Sequence, residues 1–139
     1  MKEVSFKRTY IDSGVLIAVA RTSEEMMEKA LEILDARDRI MVSSDFVKLE
    51  VLSKAIYHRQ QEEIQFYQGF FASCSVWAED LTLIVQLAQD IASQYGLGAL
   101  DALHVGSAIS VSADELITTE KLSKPIHRVR EVQVISIAE

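Results

Sequence analysis

Short β-prone runs alternate with helical stretches along the whole chain, and this order constrains the fold more than any other feature. Residues 6–11 read as a strand, broken by Asp12-Ser13-Gly14. Residues 15–20 read as a short helix or turn. Thr22-Ser23-Glu24-Glu25 has the spacing of a capping box, and the helix it opens puts Met27, Leu31 and Leu34 on one face. Residues 39–43 form a second strand. A helix over 45–57 turns Phe46, Leu49, Leu52 and Ile56 towards a core, and one over 59–73 aligns Ile64, Tyr67 and Phe71. A brief strand at 75–78 surrounds Trp77. Asp80 then caps a helix to Tyr95 with Ile84, Leu87, Ile91 and Tyr95 inward, and Gly96-Leu97-Gly98 ends it. An unusually apolar helix follows at 99–111, then a strand at 115–118, a turn or short helix at 120–123 and a last strand at 132–137. The alternation predicts an α/β fold, a mostly parallel central sheet with helices on both faces. Ligands in such folds bind beyond the carboxyl ends of the strands.

Length and composition narrow the class further. The 139 residues fit one domain, residues 1–139, around one core. One proline and five glycines leave no evident linker, and there is no repeat. Cys74 is the lone cysteine, so it has no partner for an internal disulfide, which fits a reducing, cytoplasmic setting. It has no histidine nearby and reads as a small buried hydrophobe rather than a nucleophile. The aliphatic run at 15–20 is too short for a signal peptide, and Asp12 interrupts it. No stretch reaches the roughly 20 apolar residues of a membrane helix. The net charge of −7 argues against a protein that coats nucleic acid regardless of sequence, because the phosphates repel it. It is compatible with a nuclease whose acids gather around cations, since bound metals invert the local sign.

The informative acids stand in apolar surroundings. Asp12 follows Tyr10-Ile11 and precedes an aliphatic run. Asp101 lies within Gly98-Ala99-Leu100-Asp101-Ala102-Leu103-His104-Val105-Gly106. An ionised carboxylate in such a place needs donors, a cation or a metal. Asp12 falls at the end of the first strand, and Glu50 in the first turns of the helix after the second. Asp101 falls near the start of the apolar helix, where the dipole favours negative charge, and Glu120 just past the strand at 115–118. A parallel fold puts all of these on one edge of the sheet. Carboxylates gathered there repel unless a hard cation such as magnesium or manganese holds them. Each also has a plainer reading. Glu50 could pair with Lys54 on a wet helix face, Asp12 could serve a turn, Asp101 could cap its helix and Glu120 could be solvated.

The ordered set resembles the PIN-domain family, in particular VapC-like toxins. The matching segments are Tyr10-Ile11-Asp12-Ser13, the run from Ser44 to Val51 (Ser44-Asp45-Phe46-Val47-Lys48-Leu49-Glu50-Val51), Gly96 to His104, and Ala113 to Glu120. The resemblance implies a three-layer α/β/α sandwich and a Mg2+- or Mn2+-dependent endoribonuclease. It also implies the toxin half of a toxin–antitoxin pair, an antitoxin partner and a homodimer. Asp12, Glu50 and Asp101 match the family's main metal-binding acids. Glu120 matches the fourth, where aspartate is more usual, and Ser13 and Thr118 match supporting hydroxyls. The implied reaction is in-line attack of water on a phosphodiester, which needs no side-chain nucleophile; no Ser/His/Asp or Cys/His pattern is present. Glu120 in place of aspartate favours a second reading, a PIN-like binding or scaffold protein without catalysis. A receiver or phosphohydrolase ranks third, because no acidic pair accompanies Asp12 and Gly14 occupies the second place of Asp-x-Asp. His104, three residues from Asp101 on the same face, could act near phosphate but reads rather as a packed helix histidine, and His58 and His127 have no partner at metal-ligand spacing. Asp114 reads as a turn residue. Lys54, Arg59, Lys121 and Lys124 are candidates for RNA phosphates, and Phe66 and Phe70 for a partner surface.

Overall fold

A computed structural model describes residues 6–21 and 24–138. Thr22 and Ser23 of the expected capping box lie outside the described residues. Five parallel strands form one sheet: β1 (Lys7–Ile11), β2 (Arg39–Ser44), β3 (Val76–Ala78), β4 (Glu115–Thr118) and β5 (Gln133–Ser136), in the order β3-β2-β1-β4-β5. Helices α1 (Ser13–Arg21) and α2 (Glu24–Leu34) connect β1 to β2, and α3 (Asp45–Tyr57) and α4 (Gln61–Ser73) connect β2 to β3. Helices α5 (Leu81–Tyr95) and α6 (Ala99–Ser110) return the chain across the sheet to β4, and a 3-10 turn at Pro125–Arg128 precedes β5.

The topology sets the layers. The first two crossovers step in one direction and the third steps back past β1. With right-handed crossovers, that reversal places α5 and α6 on the face opposite α1–α4. The result is a three-layer α/β/α sandwich. The strands read as near-continuous apolar runs because both faces are covered: Tyr10, Ile11, Val42, Leu116 and Ile117 are fully buried. β1 and β4 run side by side in the register Thr9↔Glu115, Tyr10↔Leu116, Ile11↔Ile117. The chain's direction through the sheet reverses between these two strands, and the crevice beyond their carboxyl ends is where such folds take ligands.

Local chemistry explains the helix limits. Asp80 accepts from the Leu83 amide at 3.1 Å and caps α5, and Gly96 ends it in the left-handed region at φ 74°. Arg59, at φ 56°, makes the tight turn between α3 and α4, so α4 begins at Gln61 rather than 59. Gly106 lets α6 press on α5, since a Cβ there would stand 2.8 Å from the Ile84 carbonyl oxygen. Cys74 is half-buried, and burial pushes its thiol pKa up to about 12, which leaves it inert at neutral pH.

Three inward faces differ from expectation. On α3 the buried residues are Val47, Val51, Leu52 and Ala55, while Leu49 is 67% and Ile56 54% exposed. On α2 Ala30 is buried with Met26 and Ile33 packed beside it, and Leu31 faces outward. On α4 Phe70 joins Tyr67 in the core, so it is not free for a partner. The reason is shared. Each helix offers large apolar groups on more than one stripe, and the sheet's covering layer has room for one.

Candidate active site

The acids expected at the carboxyl edge of the sheet all border one pocket of about 210 Å3. Asp12, Glu50, Asp101 and Glu120 line it, together with Ser13, His104 and Thr119. Each arrives from a different element. Asp12 ends β1 and its backbone carbonyl accepts from the Val15 amide as α1 begins. Glu50 projects from the second turn of α3, Asp101 from the first turn of α6, and Glu120 from the loop after β4. Gly14 permits the close approach of that loop to α1, because a Cβ there would run into the Thr119 hydroxyl.

Asp12 is 8% exposed and its carboxylate is fixed at both oxygens. Oδ1 accepts from the Ser13 amide at 2.8 Å and Oδ2 from the Thr118 hydroxyl at 2.9 Å. Thr118 Oγ1 in turn accepts from the Glu120 amide at 3.1 Å, which ties the loop to the strand end. The Glu120 carbonyl accepts from His127 Nε2 at 2.9 Å, a second tie. Glu50 Oε1 accepts from Ser13 Oγ at 2.7 Å and from His104 Nε2 at 2.5 Å. His104 Nε2 also lies 3.7 Å from Asp12 Oδ1. The remaining ring nitrogen, Nδ1, is 2.8 Å from the Tyr10 hydroxyl, which is 2.7 Å from Ser44 Oγ. Ser44 also caps α3, so the helix that carries Glu50 is anchored at the far end of the same chain of bonds.

The sequence pattern predicts a packed histidine at His104. It is packed, at 1% exposure, and it is also bonded into the acidic cluster. The one sequence signal for this was its i,i+3 spacing from Asp101. Tyr10 and Ser44 open two of the matching segments, but the sequence assigns neither a role at the site.

The protonation states follow from these contacts. Burial pushes His104 down, but the bond to Glu50 and the charges of Asp12, Glu50 and Asp101 outweigh it and leave its pKa raised. Burial pushes Glu50 up, but the bonds from His104 and Ser13, with the charges of His104 and Lys54, carry it below the usual carboxylate range. Asp101 goes the other way. Burial raises its pKa, and the negative charges of Asp12 and Glu120 raise it further. The pocket is therefore short of positive charge on the Asp101 side.

The cluster has the donor set of a hard-cation site. Asp12, Glu50 and His104 each present a ligand atom, all within 4.8 Å of one another. Asp101 and Glu120 line the same pocket but are not part of that close group. Carboxylate oxygens suit magnesium or manganese better than a soft metal, and His104, with Nε2 bonded to Glu50, orients that carboxylate. At the opposite edge of the sheet, Glu115 is buried against Arg39 and Thr9, while Asp114 accepts from the Arg8 amide and pins the start of β4.

Comparison with known proteins agrees with this architecture. The fold is similar to VapBC2 from Rickettsia felis bound to a promoter DNA fragment, with TM-score 0.70 and 15% identity, covering 93% of this chain and 98% of that one. It is similar to VapBC-1 from nontypeable Haemophilus influenzae, with TM-score 0.70 and 16% identity, covering 95% and 99%. A toxin–antitoxin complex from Klebsiella pneumoniae gives TM-score 0.68 and 18% identity, covering 93% and 97%. No curated protein matches the chain. The PIN domain family model matches residues 9–124, a span that holds every acid of the pocket, and the chain belongs to the PIN domain family.

Proposed function

We propose that this chain is a Mg2+- or Mn2+-dependent endoribonuclease and the toxin component of a toxin–antitoxin pair. The observation that carries the reading is the convergence of Asp12, Glu50, Asp101 and Glu120 on one pocket at the sheet's reversal point. The solved relatives named as VapBC or toxin–antitoxin complexes support an antitoxin partner. A homodimer and a cytoplasmic setting belong to the same reading. Among the described residues no helix is long and apolar enough to cross a membrane.

In this reading Asp12, Glu50 and Asp101 hold the metal, and Glu120 completes the ring from the loop after β4. A divalent ion bound there supplies charge for the phosphoryl oxygens and lowers the pKa of water. The chain's own contribution is to hold the carboxylates ready. Ser13 and Thr118 fix both oxygens of Asp12 through backbone and hydroxyl donors. Ser13 Oγ and His104 fix Glu50. Leu100 and Ile17 wall the pocket with apolar surface, which restricts water near the acids.

The test is cleavage of a labelled structured RNA, beside single-stranded DNA, with magnesium, with manganese and with EDTA. Asp101→Asn runs in parallel. Metal-dependent RNA cleavage that vanishes in the variant is the expected result. A folded, inhibitor-free protein that cleaves nothing under any of these conditions refutes the catalytic reading and favours a PIN-like binding or scaffold protein.

A further inference from the structure

An acidic nuclease must still hold a polyanion, and the structure offers a place for it beside the acids. A second cavity, of about 370 Å3, adjoins the acidic pocket and shares Ile17, Glu50 and Leu100 with it. Its other side carries Arg21 and Lys54. These two cations stand out in a chain of net charge −7. Arg39 is committed to Glu115, and Arg8 bonds the Val111 carbonyl, both at the opposite edge of the sheet. Among the described residues the Lys54 ammonium has no close ion pair, and its charge reaches Glu50. Arg21 is held by Glu63 through Nε at 2.7 Å, with Glu63 steadied by the Tyr67 hydroxyl at 3.0 Å. That bond aims the guanidinium and uses one of its donors. The same cavity is lined by apolar surface, Leu49 at 67% exposure and Leu100 at 43%.

We infer that this groove binds the RNA nucleotide next to the one cleaved, with Lys54 and Arg21 on its phosphate and Leu49 and Leu100 against its base. The inference rests on the nuclease reading for its ligand. A phosphodiester held at the carboxylates has a path for its flanking nucleotide past Glu50 and Leu100, which the two cavities share. A nucleotide brings one negative charge and one flat apolar face, and the groove presents cations and aliphatic surface in that arrangement. Lys54 is then a positioning residue, distinct from the acids.

The probe is a labelled single-stranded RNA whose dissociation constant is measured against salt concentration, with calcium in place of magnesium. Lys54→Gln should weaken binding several-fold and lower the slope of log affinity against log salt by ~0.7, the share of one phosphate contact on a single strand. Lys54→Arg should restore both. Leu49→Ala should weaken binding and leave the slope as it is, because it removes no charge. Unchanged affinity and slope in Lys54→Gln would overturn the inference and leave the groove as a protein-docking face. The nuclease reading is judged separately, by whether the wild type cleaves in magnesium or manganese. Wild-type inactivity with a Lys54-dependent slope would sink that reading and keep the groove.

Discussion

Replacing Tyr10 with phenylalanine tests how the cluster is held. Tyr10 is fully buried, and burial drives its pKa far upward, so the hydroxyl is neutral at any working pH. Glu50 as a carboxylate can only accept, so His104 Nε2 carries a proton. When the ring is doubly protonated, Nδ1 donates to the Tyr10 oxygen and Tyr10 donates to Ser44. When it is neutral, Tyr10 donates to Nδ1 and accepts from Ser44. The hydroxyl serves both states, and phenylalanine serves neither. The substitution keeps the ring volume, so no cavity term arises. It leaves Nδ1 of a buried imidazole without its partner at 2.8 Å, a loss of ~1–3 kcal/mol. For a chain of this size that corresponds to a fall in Tm of roughly 3–10 °C. His104 then orients Glu50 less firmly, and metal affinity should fall, by less than the about tenfold that loss of Glu50's own supporting bond would bring. Thermal unfolding in EDTA, followed by circular dichroism, and manganese binding by calorimetry read the two effects. A Tm within about 1 °C of wild type together with unchanged manganese affinity would refute the reasoning.

Asp101→Asn removes a carboxylate that burial and the charges of Asp12 and Glu120 make unfavourable, so the metal-free variant should melt above wild type. Magnesium or manganese at 100 times the dissociation constant should stabilise wild type by about 2.7 kcal/mol and the variant much less; a variant that melts lower in EDTA, or gains as much from metal, contradicts the assignment. In EDTA the His104–Glu50 pair should give a stability plateau between about pH 4.5 and 6.5, the ordinary values of the two groups. The His104 contribution, from a raised pKa, is lost as pH climbs through its folded value. The Glu50 contribution, from a lowered pKa, is lost as pH drops through its own; urea unfolding across pH should show both limbs, and His104→Gln should flatten the upper one. Gly106→Ala should cost ~1–3 kcal/mol, because its Cβ meets the Ile84 carbonyl oxygen and the Ala88 amide nitrogen at 3.1 Å; an unchanged urea midpoint would show that the α5–α6 contact yields freely.

How much of this a sequence can carry depends on whether the signal is local. Strand ends are local: Asp12-Ser13-Gly14 stops β1, and the Glu115–Thr118 strand and the Asp45–Tyr57 helix fall where the residue pattern put them. Caps are local too, as Asp80 and Gly96 show. The edge on which Asp12, Glu50, Asp101 and Glu120 meet follows from parallel order alone, since every strand's carboxyl end faces the same way. Helix rotation is not local. On α3 the stripe Phe46–Leu49–Leu52–Ile56 and the stripe Val47–Val51–Ala55 both have helical period, and the choice between them depends on what α1 and α4 already cover. The exposure of Leu49 is therefore invisible in the sequence, and so is the groove it helps to build. The same limit hides the Ser44–Tyr10–His104–Glu50 chain. Its members come from β1, β2, α3 and α6, with up to 94 residues between bonded partners. A buried histidine needs both ring nitrogens answered, and the sequence shows that need at His104 but not who meets it. The acids, with Ser13 and Thr118 beside them, follow an order that a sequence preserves, whereas the Tyr10–His104 support of Glu50 is chosen by packing.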